Sequence, residues 1–209
     1  MTPHRARAWI RLPSGAALDL INPSPQAWTD ADLAKRLART YRWGGESTWD
    51  WPLSVAQHSL LVLALRREWS RFDRPLTVAE QRAELLHDAE EGFLGFDCIS
   101  PLKRVLGQPF AAVADRLMQA VAARYALPDW TTETPRLHKR ADSVAAASEA
   151  VHCTGWSREE VRDVLGIEFP VLDLDPLQAV HGGTAWEPWP SEVAASRFLD
   201  ELERLSESR

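Results

Sequence analysis

Cysteine is scarce in this 209-residue chain, which carries only Cys98 and Cys153. Two thiols so far apart supply neither a disulfide framework nor a zinc knuckle. No apolar run approaches the ~18 residues that would span a bilayer, so no membrane association is expected. The first fifteen residues hold Arg5, Arg7 and Arg11 but no apolar centre, and so do not read as a secretory signal. A cytoplasmic location is the resulting expectation. A surplus of positive charge is also missing. The net charge of −6 argues against a broad face for a nucleic-acid polymer, while leaving room for a small basic pocket. Gly-x-Gly-x-x-Gly, a Walker loop and Gly-x-Ser-x-Gly are all absent, which removes the usual signatures of dinucleotide, P-loop and serine-hydrolase chemistry.

What is present is an ordinary globular composition, 45% hydrophobic and 26% charged. The length suits a single domain, residues 1–209, large enough for a core without staples. Ten tryptophans are unusual for this length, but they follow no period and read as large amphipathic packing groups.

Helical spacing dominates the chain. Residues 8–20 read as a small hairpin around Pro13-Ser14-Gly15. Thr29 or Asp30 caps a helix bearing Leu33, Ala34, Leu37 and Ala38, and the Gly- and Trp-rich stretch from Arg42 to Pro52 is a loop. Ser54 and Gln57 form a capping box that starts a helix carrying His58. The stretch from Leu76 to Glu91 reads as one buried helix ending at Gly92 and Gly95, followed by a Ser100-Pro101 turn. Further helices are expected over 110–125, 137–153, 157–165 and 191–205, with a polar break at 131–135. The fold class is therefore all-α, a compact helical bundle with a minor N-terminal hairpin and a core spanning about 28–155.

Four polar groups stand out: His58, the adjacent pair His87-Asp88, and Asp142, three of them inside stretches that otherwise read as apolar helix faces. Six histidines and fourteen aspartates give about 0.4 His-Asp dipeptides by chance, so the pair alone carries nothing. Its setting does. Charged groups belong in such stretches only when paired or metal-bound, and two imidazoles with two carboxylates suit one divalent ion. Co²⁺, Mn²⁺, Fe²⁺, Zn²⁺ and Mg²⁺ all fit that donor set. Trp43, Trp49 and Trp51 are the tryptophans near these groups. His4, His138, His152 and His181 read as structural or solvent-facing.

The order His…His-Asp…Asp, set in Ser54-Val55-Ala56-Gln57-His58-Ser59, Leu85-Leu86-His87-Asp88-Ala89 and Lys139-Arg140-Ala141-Asp142, resembles the HD-domain phosphohydrolases. The likeness is greatest to the compact branch of 5′-deoxynucleotidases and phage deoxynucleotide triphosphohydrolases, and covers residues 16–152. Arg42-Trp43 and Ile99-Ser100-Pro101-Leu102-Lys103 match that branch too. The resemblance implies an HD-domain bundle in which His58, His87, Asp88 and Asp142 hold one metal ion. It further implies that Glu91 works on the attacking water, with Glu90 as the rival. Arg42 and Lys103 would hold phosphate, and Trp43 would wall the sugar or base. Asp97 resembles a further family acid, displaced by one residue in Gly95-Phe96-Asp97. Gln57 stands where relatives often carry Glu, and Lys139 and Arg140 could balance the acidic groups.

The implied activity is hydrolysis of (deoxy)nucleoside 5′-monophosphates. Release of triphosphate from a deoxynucleotide and a catalytically silent nucleotide sensor are the alternatives. Alarmone hydrolysis ranks lower, because Ala89-Glu90-Glu91-Gly92 follows His-Asp where a Glu-Asp pair is usual. A small-molecule nucleotide is thus the expected partner, and relatives assemble as homo-oligomers.

Overall fold

A computed structural model describes residues 7–130 and 134–207. His4, Arg5 and part of the polar break at 131–135 lie outside the described residues. Strands β1 (Trp9–Arg11) and β2 (Ala17–Asp19) pair antiparallel with Ile10 opposite Leu18, forming the expected hairpin. All other regular structure among the described residues is helical, and the fold is all-α.

Helix α1 (Asp30–Ala38) starts at Thr29, whose hydroxyl accepts from the Asp32 amide while the Asp32 carboxylate accepts from the Thr29 amide. Its Leu33, Leu37 and Ala38 are buried, in a helix packed against residues 89–94 and the C-terminal helix. Helix α2 (Val55–Ser70) is the central rod, with every residue from Val55 to Leu63 buried. Such a helix is apolar on all sides because neighbours surround it.

The expected single helix over 76–91 is two. Helix α3 (Val78–Leu85) is capped by Thr77, and α4 (Ala89–Leu94) ends at Gly95 in the left-handed region (φ +84). Between them, Leu86 (φ −102, ψ 12) and Asp88 (φ −112, ψ 26) leave helical geometry. Gly92 lies inside α4 instead of ending a helix. A Cβ there would meet Leu37 Cγ and Cδ2 at 3.0 Å, so glycine permits the close approach of α1. Ser100-Pro101 opens helix α5 (Ser100–Tyr125) where a turn was expected, because proline is well suited to a first helical turn. The α5 backbone is broken at Gly107 (φ +67), and the expected 110–125 segment follows that break.

Helix α6 (Thr134–Thr154) follows, then α7 (Arg158–Asp163), α8 (Pro176–His181) and α9 (Ser191–Glu207). Helix α8 was not expected from the sequence. The main core gathers Leu33, Val62, Leu85, Leu117, Val144 and Phe198 from six helices. Each such full burial contributes ~1.5–3 kcal/mol. Among the described residues no helix is long and apolar enough to cross a membrane.

Candidate metal centre

His58 lies in the first turns of α2 and is fully buried. Ser54 caps that helix by accepting from the Gln57 amide at 3.2 Å. The Gln57 side chain does not close a capping box. Its amide donates to the Glu187 carbonyl (3.0 Å) and accepts from the Trp189 N–H (2.8 Å), tying α2 to the segment before α9.

His87 and Asp88 sit in the break between α3 and α4. On an unbroken helix, neighbouring side chains diverge by ~100°. The break lets them converge, with His87 Nε2 3.1 Å from Asp88 Oδ2. Ligand atoms of His58, His87 and Asp88 all lie within 4.8 Å of one another. His58 Nε2 is 3.7 Å from Asp88 Oδ2 and 3.4 Å from Asp142 Oδ1, the latter carried by α6.

None of these contacts is a hydrogen bond, and both Nε2 atoms are buried without a hydrogen-bond partner. An orphaned buried polar atom costs ~1–3 kcal/mol. The other nitrogen of each ring is engaged. His58 Nδ1 donates to Glu149 Oε1 at 2.6 Å and His87 Nδ1 to the Glu84 carbonyl at 2.8 Å. Those acceptors put the proton on Nδ1 and leave an Nε2 lone pair facing the carboxylates, the arrangement of a metal-ligating imidazole. The buried His/Asp cluster could hold a metal ion. Its walls differ in depth: the imidazoles are 0% and 3% exposed, whereas Asp88 and Asp142 are 18% and 20% exposed.

Glu149 was missed from the sequence. It follows Asp142 by seven residues, two helical turns, and so shares its face of α6. One oxygen takes the His58 proton, and the other accepts from Arg42 Nε (2.9 Å) and Trp43 Nε1 (3.4 Å). The available signal was an acid embedded in the run Ala145-Ala146-Ala147-Ser148-Glu149-Ala150. Burial opposes its charge, but Arg42 and His58 outweigh burial and hold its pKa at about 2.

Burial and Arg42 likewise disfavour a charge on His58, yet Glu149 and Asp142 lift its pKa to about 10, so without a metal ion Nε2 holds a proton whose place the ion would take. Burial would raise Asp88 and Asp142. The imidazoles prevail and hold both well below the usual carboxylate range. Glu90 and Glu91 behave oppositely. Burial, then Asp88, pushes both upward against the pull of Lys103. The carboxylate oxygens of Asp88, Glu90 and Glu91 also lie within 4.8 Å of one another. Lys103 Nζ donates to Glu91 at 3.0 Å and stands 3.9 Å from Glu90.

Arg42 is buried, bound to Glu149 and 3.5 Å from Asp97. Trp43 adopts the left-handed region (φ +57) in a short 3₁₀ turn, Trp43–Gly45. Thr48 N and Trp49 Nε1 fasten the same loop to the Cys153 and His152 carbonyls at 2.8 and 2.9 Å. Trp51 is half exposed. His138 Nδ1 pairs with Glu84 at 2.7 Å, and its ring lies 4.7 Å from that of His87. Lys139 binds Asp142 at 2.6 Å, whereas Arg140 lies over Trp69. His152 stacks on Trp186, and His181 lies against Trp189.

No family model matches the chain. Over 167 residues it is 40% identical to an uncharacterized protein of Rhodobacter capsulatus, a stretch covering 79% of this chain and 83% of that protein.

Proposed function

This chain belongs to the same family as the uncharacterized Rhodobacter capsulatus protein, and we propose for it an HD-domain phosphohydrolase activity that depends on a divalent metal and acts on nucleotides, foremost (deoxy)nucleoside 5′-monophosphates. The observation that carries this reading is the pair of buried, unpartnered Nε2 atoms of His58 and His87 facing two carboxylates. His58, His87, Asp88 and Asp142 would hold the ion. When bound, it supplies charge neutralisation for a phosphoryl group and makes water a better nucleophile.

Glu149 keeps the His58 proton on Nδ1, so that Nε2 stays a donor of electron density. Glu91 is the acid or base for the attacking water. Its Oε2 is buried without a partner, and burial beside Asp88 raises its proton affinity. Lys103, at 3.0 Å, limits that rise and brings a positive charge next to the acids. Arg42 spends its Nε on Glu149, leaving guanidinium N–H groups for a phosphate. Trp43, beside it, is a flat wall for the sugar or base.

The test is a panel of ribo- and deoxynucleoside mono-, di- and triphosphates with Co²⁺, Mn²⁺, Zn²⁺ or Mg²⁺, products being separated by chromatography. Free phosphate from a monophosphate, lost in Asp88→Ala, is the expected result. Intact triphosphate from a deoxynucleotide would reassign the reaction to triphosphate release. Equal turnover by Asp88→Ala would remove the metal assignment, and no turnover with any pairing would favour a silent sensor.

A further inference from the structure

A cavity of about 210 Å³ opens at the C-terminal end of α4, the end opposite Asp88. Arg11 of β1, Arg36 and Arg39 of the α1 segment, Thr40 and Gly95 contribute to its lining. Three arginines meet there in a chain whose net charge is −6. No carboxylate is among the described residues lining the cavity, and none of the three arginines forms an ion pair with a described residue. Burial, followed by repulsion from Arg39, lowers the pKa of Arg36.

The cluster is built, not incidental. Arg36 is anchored by Nε to the Gly92 carbonyl (2.7 Å) and Nη2 to the Phe93 carbonyl (3.0 Å). A guanidinium has five N–H donors, so three remain. Two glycines with positive φ make room for the arginines. A Cβ on Gly15 would lie 3.3 Å from Arg11 Nη2, and one on Gly95 would lie 3.2 Å from Arg36 Nη2. Arg11 and Arg39 are exposed at the mouth.

We propose that this cavity is an anion site for phosphate groups, taking a small polyphosphate either free or as the tail of a nucleotide. Planar guanidinium groups match phosphate oxygens two at a time. The volume is below the ~300–1,000 Å³ of pockets that enclose drug-sized ligands, and so suits phosphate groups without a base and sugar. The site is distinct from the candidate metal centre but mechanically tied to it. Arg36 holds the last carbonyls of the helix that bears Glu90 and Glu91, so an anion on Arg36 bears on the position of those acids.

The test is calorimetric titration of inorganic triphosphate, and separately dATP, into the whole protein stripped of metal on a chelating resin. Saturable binding that weakens with salt is expected. Replacing the two exposed arginines, Arg11→Gln with Arg39→Gln, should weaken it about tenfold or more, since each loses charge-assisted hydrogen bonds. Binding that the double variant weakens supports the site, with equal affinity for both ligands identifying free polyphosphate and tighter dATP binding a nucleotide tail. Absence of saturable binding up to millimolar ligand, or an unchanged affinity in the double variant, overturns it. Because no metal is present and neither arginine touches the metal-site residues, this result stands apart from the fate of the phosphohydrolase reading.

Discussion

Glu149→Gln keeps the side chain's shape and removes one acceptor. Glu149 Oε1 takes the His58 Nδ1 proton at 2.6 Å, while Oε2 takes Arg42 Nε at 2.9 Å. Glutamine has a single oxygen. Whichever way the amide turns, its NH₂ faces one of those N–H groups, donor against donor. Turned toward His58, it drives the ring proton to Nε2, the atom that must offer a lone pair. Loss of such a supporting acceptor typically costs ~10–100-fold in metal affinity, or about 1.4–2.7 kcal/mol. Turned toward Arg42, it leaves a buried guanidinium donor unmet, at ~1–3 kcal/mol of stability. The assay is calorimetric titration of Mn²⁺ or Co²⁺ into metal-stripped protein, with thermal melts of the metal-free protein alongside. Weaker metal binding and a smaller metal-induced rise in Tm are expected. A variant that binds metal as tightly as the parent and melts no lower would refute the reasoning, whereas a lower melt with unchanged metal affinity would place the amide nitrogen toward Arg42.

Glu91→Gln should retain metal affinity and lose ~10²–10⁴-fold in turnover on the preferred nucleotide; an unchanged rate moves the acid–base role to Glu90. Glu80 closes the cap of α3, and hydrogen bonding from Arg74 holds its pKa at about 2 against an ordinary 4.5, despite the opposing effect of partial burial. A depressed carboxylate stabilises the fold above its unfolded pKa, and that stabilisation is lost as pH falls through the folded one. The Tm deficit of Glu80→Gln should therefore be full at pH 7 and shrink steadily between pH 4.5 and 2; a deficit independent of pH in melts across that window would contradict it. Gly92→Ala places a Cβ 3.0 Å from Leu37 and 3.3 Å from its backbone nitrogen. Overpacking of this kind costs ~1–3 kcal/mol, a fall of about 2–12 °C in Tm, and a melt equal to the parent's would show that α1 yields freely.

Helices α1, α6 and α9 were legible because Leu33 and Leu37, Ala141 and Val144, and Phe198 and Leu202 keep helical spacing on buried faces, and α2 because Ser54 caps a long apolar run through Leu60–Leu63. The α3–α4 break was not, since Leu85, Leu86, Ala89 and Phe93 carry that apolar rhythm across it. At the break, His87 Nδ1 bonds the Glu84 carbonyl, which an unbroken helix would give to the Asp88 amide. Helix α8 escaped notice because six residues give too few turns for a periodic signal, although Asp175 and Pro176 start it in the usual way. Within the site, His58, His87, Asp88 and Asp142 stood out as polar groups; the structure brings ligand atoms of the first three within 4.8 Å of one another and places Asp142 3.4 Å from His58. Glu149 was hidden because its meaning depends on Arg42 and His58, partners far away in sequence.

The unequal depth of the two kinds of ligand sets the order in which a cation would be taken up. Oxygen is met before nitrogen. A hydrated ion would meet the more exposed Asp88 and Asp142 before the imidazoles, which solvent barely touches. Departure reverses the path and begins with the bonds in the driest part of the pocket. Ions that favour oxygen and part reluctantly with water, such as Mg²⁺, would gain less from the buried imidazoles. Ions that bind imidazole well would dwell far longer.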